Sequence, residues 1–172
     1  MSLKNALQGL GDQVQQMNAV LSELQITVAV DRPDALAMAE DFAQTLDDLR
    51  IALDESSNQL SRLARIDRPQ EQIADVWQAL LFCQQQIDQT STELCTLNSM
   101  DRLAPLKRHA LHQGGEWLAW LRIVKDGLAR CVQQQHSLCA AHRLCMQEMA
   151  ERDATGLVTI NNRTIGQVSL AE

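Results

Sequence analysis

Apolar residues recur over the first thirty positions in alternating steps of four and three: Leu3, Leu7, Leu10, Val14, Met17, Leu21, Leu24 and Val28. A strict 3.5-residue repeat keeps one narrow stripe turned toward a partner helix, which is the pattern of a coiled-coil seam. The spacing predicts a helix over 2–29. Gly11 weakens that helix by roughly 1 kcal/mol but lies off the seam. "DRPD" at 31–34 interrupts the pattern. Pro33 suits the first turn of a new helix, with Asp31 or Arg32 at its cap. A second seam follows at Ala39, Phe42, Leu46, Leu49, Leu53, Ser56, Leu60 and Leu63, with one polar slip at Ser56. It predicts a helix over 33–66.

Asp-Arg-Pro recurs at 67–69, and Pro69 opens a third predicted helix, 69–98. Its seam is Ile73, Val76, Leu80, Cys83, Ile87, Thr90, Leu94 and Leu97. "NSMDRLAP" at 98–105 makes the next turn, because proline does not sit deep in a helix. The last seam runs Leu106, Ala110, Trp117, Leu121, Val124, Leu128, Cys131, Gln135, Leu138, His142, Cys145 and Met149. Gly114 and Gly115 fall inside it. The apolar phase is nearly continuous across them, which favours a single helix over 102–153 in which the glycines admit a close neighbour. A break at the glycines is the competing possibility.

After Asp153 the pattern changes. "GLVTINNRTIGQVSL" places β-branched residues around Asn161 and Asn162, and Asn tolerates the positive φ of a tight hairpin. With those two residues as the loop, Val158, Ile160 and Ile165 share one face. The expected fold is all-α: an antiparallel, coiled-coil-like four-helix bundle over 1–153. Residues 154–172 follow as a short β-hairpin or an extended, flexible tail. An isolated hairpin is marginal in water, so it docks, pairs with another chain or stays loose.

Composition narrows the function classes. The 172 residues suit one domain with a sizeable core. Aromatic residues make up only 3 %, so the core is built from Leu, Ile, Val, Met and Ala. The net charge of −7 argues against a nucleic-acid surface. No stretch is apolar enough to span a membrane, and the N-terminal residues lack a secretory signal. Five cysteines without such a signal point to reduced thiols in the cytoplasm.

One stretch resembles a metal site. "HSLCAAHRLC" sets His136, Cys139, His142 and Cys145 three residues apart. On a helix, each step of three turns through 300°, so the four side chains drift through about 180° and cannot close a site alone. At most His142 with Cys139 or Cys145 would share a metal, with further ligands from Cys83 or a second copy. Otherwise the cysteines are small core residues and His142 a buried, hydrogen-bonded side chain. His109 and His112 share one helix face and read as a solvated pair. No catalytic or phosphate-binding motif is present.

Helix length points to self-association. A single 102–153 helix is longer than its neighbour and would leave Cys131, Leu138, His142, Cys145 and Met149 as an exposed apolar stripe. A two-fold copy would cover that stripe as a homodimer. Trp120 lies off the seam and is a candidate contact. The interaction residues expected are therefore Trp120, Leu138, Met149, Val158, Ile160 and Ile165. The function expected is a non-enzymatic protein–protein interaction module: a helical adaptor, a secretion-type chaperone or an assembly scaffold. It needs no cofactor. The alternative is a bundle that senses or carries a metal or haem through His142 with Cys139 or Cys145.

Overall fold

The computed structural model describes residues 2–29, 36–97 and 100–160, with side chains over 2–28, 39–97 and 104–152. Five helices follow in order: α1 (Leu3–Ala29), α2 (Leu36–Ala64), α3 (Ile73–Leu97), α4 (Met100–Gln113) and α5 (Gly115–Ile160). The heptad seams are what they bury. Every seam residue of the four expected helices is buried except Ile73, which is half-buried. Eight of them, Leu3 to Val28 on α1, are each no more than 2 % exposed. Four stripes turned inward leave one arrangement: α1 and α3 at opposite corners, each packed against both α2 and α5.

Side-chain contacts set the register. Trp120 meets Thr27 and Gln134 meets Gln13, two α5–α1 pairs whose numbers each add to 147. Gln135 meets Ile87 and His142 meets Leu80, two α5–α3 pairs whose numbers each add to 222. Constant sums mean antiparallel helices without slippage. Gly127 permits a close approach of α5 to α1, since a Cβ there would lie 2.8 Å from Leu24 Cδ1. The expected role of glycine as a close-packing residue thus falls to Gly127 and not to the Gly114–Gly115 pair.

The fourth expected helix is two helices. Gly114 adopts φ +96°, in the left-handed region that favours glycine. Its N–H bonds the Ala110 carbonyl at 3.0 Å, which caps α4, and its own carbonyl accepts Leu118 N–H at 3.1 Å, which starts α5. The chain reverses there, and α4 lies back along the first turns of α5. This covers the apolar stripe that was expected to overhang. With α4 folded back, the same register puts Leu3 level with residue 144 and Ile73 level with residue 149. Cys131, Leu138, His142, Cys145 and Met149 are therefore covered within the protomer, each 3 % exposed or less.

Three smaller expectations also change. Pro105 lies inside α4, in its second turn, because the helix begins at Met100. Pro69 opens a 3-10 turn, Pro69–Glu71, and α3 itself starts at Ile73. The first arm of the hairpin is absent: Val158–Ile160 is the last turn of α5. Its second arm, with Ile165, lies outside the described residues, as does the turn at Asp31–Pro33. Among the described residues no helix is long and apolar enough to cross a membrane.

Candidate functional site

The four residues of the metal-like stretch go to different surroundings, as the helical drift requires. His136 is exposed, Cys139 half-buried, and His142 and Cys145 buried. The His142 ring sits 2.9 Å, through Nε2, from the Leu80 carbonyl of α3. A carbonyl oxygen only accepts, so Nε2 carries the proton and its lone pair is not available to a metal. One heptad earlier on α5, Gln135 Nε2 donates to the Ile87 carbonyl at 2.9 Å and to Ser91 Oγ at 2.7 Å. The two side chains form a ladder of polar contacts between α5 and α3.

Three thiols in this core are unreactive by environment. Burial pushes Cys83, Cys131 and Cys145 up to about 12, against the ordinary value of 9.0. For Cys83, the nearby Ser56 hydroxyl acts in the opposite direction but is outweighed. Cys139 is also raised, first by burial, with Arg143 opposing. A neutral thiol is a poor nucleophile. Among the described residues no three of His, Cys, Asp and Glu gather as a metal site would require. His109 stacks edge-on against Trp117, with ring centroids 4.3 Å apart, while His112 is exposed. The expected solvated pair is half solvated.

The expected contact residues are mostly spent inside the protomer. Trp120 is 7 % exposed, and its indole N–H donates to the Thr27 carbonyl at 3.0 Å. It closes the α1–α5 interface and does not project from the surface. Leu138 and Met149 are fully buried. Val158 and Ile160 lie on the final turn of α5.

Apolar surface remains elsewhere. Among the described residues the most exposed large aliphatic side chain is Leu111, at 71 %. It stands over a groove of about 220 Å³ between α4 and α5, floored by Leu118 and Leu121 and rimmed by Lys107, Arg122 and Lys125. Among the described residues no acidic side chain lines it; Glu116 and Asp126 are near in sequence but outside the groove. Two of the chain's three lysines are here. The rim cations form no ion pair among the described residues. A second cavity of about 330 Å³ lies between α3 and α5, beside Leu94, Cys95, Val132 and His136.

Sequence reasoning passed over the α4–α5 groove. Its signal is the local charge: residues 101–130 hold six Lys and Arg against three Asp and Glu, in a chain of net −7. That reversal marks a basic surface only once the chain is known to turn at Gly114 and bring Lys107 beside Arg122. Compared with models of known protein families, with curated proteins and with solved structures, the chain matches none of them.

Proposed function

We propose that this chain is a non-enzymatic protein–protein interaction module, an adaptor, secretion-type chaperone or assembly scaffold built on a closed helical bundle. The observation that carries the reading is Leu111, a large aliphatic side chain 71 % exposed at the mouth of a leucine-floored groove. A bundle this well packed has no folding reason to leave that cleft open, since its seams are already satisfied. An exposed apolar cleft ringed by polar groups is a common form of docking surface. The acidic remainder of the surface keeps the module apart from nucleic acid and from itself. The five free cysteines suit the reducing cytoplasm as the place of action.

The geometry around His142 lends the metal or haem reading no support, because Nε2 donates to Leu80 and no group of three His, Cys, Asp or Glu gathers there among the described residues. Self-association through Leu138 and Met149 is not part of the proposal, since the protomer buries both. The test is isolation of a stoichiometric partner with the tagged protein, followed by reconstitution from purified components. Leu111→Glu is expected to abolish the complex while leaving the melting temperature unchanged. A partner bound equally well by that variant would remove the groove from the reading.

A further inference from the structure

The rim of the α4–α5 groove says what kind of chain fits it. Three cations, Lys107, Arg122 and Lys125, surround Leu111, Leu118 and Leu121, and among the described residues no carboxylate lines the groove. We infer that the groove takes an acidic amphipathic helix of a partner protein, its apolar side chains between α4 and α5 and its carboxylates on the three cations. This rests on the reading of the groove as a docking face, and adds the partner's chemistry.

Other occupants fit less well. A volume of about 220 Å³ holds an aliphatic side chain or two. It falls below the roughly 300–1,000 Å³ of pockets that enclose a small organic ligand. An apolar anchor from a helix laid in a groove is the matching mode.

A second copy offers an acidic ridge of its own, Asp48 and Glu55 flanking Ile51, which is 62 % exposed. That ridge is on α2, which packs against α1 and α3 and does not line the groove. Pairing it with the groove joins two different surfaces, a head-to-tail contact that builds rings or open chains. A membrane surface would need its apolar side chains on a convex stripe. Here Leu118 and Leu121 lie in a cleft between two antiparallel helices.

Charge complementarity of this kind makes binding depend on salt and on each rim cation. The probe is a short synthetic helix with Leu along one face and Glu elsewhere, labelled for fluorescence anisotropy. Its counterpart carries Lys in place of Glu. The Glu helix is expected to bind the full-length protein and to weaken as salt rises. The combined variant Lys107→Glu, Arg122→Glu, Lys125→Glu should weaken it by about tenfold or more. Circular dichroism and melting check that the variant is folded. Lys125→Glu alone, at an exposed position, serves if the triple change is not tolerated.

Equal binding of the Glu and Lys helices, or binding that survives charge reversal, would overturn the inference. So would binding of phosphatidylserine vesicles through these residues, or salt-sensitive polymers of the protein itself, in the absence of helix binding. The docking reading fails separately. A reconstituted partner lost on Leu111→Glu but indifferent to the three charge reversals leaves docking standing and refutes the acidic helix.

Discussion

Two adjacent glycines give the sharpest test of the architecture. Gly114 has φ +96° and Gly115 does not share that conformation, yet neither has an atom within 4 Å of the place a Cβ would occupy. A methyl group added at either position therefore meets no neighbour, and only the backbone responds. At Gly114, alanine is forced toward the left-handed region, at a cost of about 1–2 kcal/mol. Loss of glycine's freedom in the unfolded chain returns about 0.4–1 kcal/mol. Gly114→Ala should thus destabilise by about 1 kcal/mol. At Gly115, the first residue of α5, only the second effect operates, so Gly115→Ala should stabilise by about 0.4–1 kcal/mol. For a chain of this length each kcal/mol moves the melting temperature by about 2–4 °C. The two single-methyl variants should melt on opposite sides of the parent. Gly114→Asn should fall between, because Asn tolerates positive φ. Thermal melts by circular dichroism, with urea midpoints as a second measure, read the difference. Were α4 and α5 one continuous helix, as the unbroken apolar phase implies, both alanines would stabilise. Gain at both positions would therefore refute the turn at Gly114 and restore the overhanging helix.

Other expectations can be checked on the same material. Leu46→Asp and Leu80→Asp each put a carboxylate at a position 0 % exposed. An unpaired buried charge costs several kcal/mol against a total of about 5–15, so neither variant should melt cooperatively near the parent temperature. Gly127→Leu should cost about 1–3 kcal/mol by overpacking against Leu24, whereas Gly9→Ala should gain up to about 1 kcal/mol, since nothing lies near its added methyl. A stability loss at Gly9 equal to that at Gly127 would contradict the close α1–α5 approach. Cys83, Cys131 and Cys145 hold their protons up to about 12 when folded and to about 9.0 when not. Below pH 9 they leave stability independent of pH; between pH 9 and about 12 the unfolded chain alone releases protons, so stability falls as pH rises. Urea midpoints across that window should fall less steeply in the triple alanine variant, and an unchanged slope would contradict the burial. Exposed Cys95 should react with a thiol reagent at pH 8 long before those three.

The seams were legible because burial in a helical bundle is periodic and a side chain's place in the period is local information. Ser56 and Thr90 show how far this goes: both are polar, both interrupt a seam, and both are buried where the spacing puts them. The turn at Gly114 was not legible by the same reasoning. Ala110 and Trp117 are one heptad apart and both face the core, a condition met equally by one straight helix and by two helices that reverse. What separates the alternatives is length. α1, α2 and α3 have 27, 29 and 25 residues. A helix over 102–153 would outrun all of them, and the excess apolar stripe has two remedies, a second chain or a hairpin. Self-association is the first; a glycine at positive φ supplies the second. The basic groove was hidden for the same reason, since Lys107 and Arg122 become neighbours only across that reversal.

The metal-like stretch shows the same physics from the buried side. Gln135 and His142 are one heptad apart on α5, and the carbonyls they bond, Ile87 and Leu80, are one heptad apart on α3. Those carbonyls already serve the helix, so the side chains use second lone pairs and leave the helical ladder intact. Such contacts add little net stability, and Gln135 Oε1 is buried without a partner. Leucine at both sites would pack as well or better. Polar groups at seam positions instead penalise misalignment: a slip shorter than a heptad would strand both donors in an apolar interface. α3 has need of this, because it contains no glycine and lacks a close approach like that of Gly127 to Leu24. Histidine and glutamine on a leucine seam thus fix which turn of α3 lies beside which turn of α5, and that alignment sets where α3 ends and α4 begins its path back over the first turns of α5.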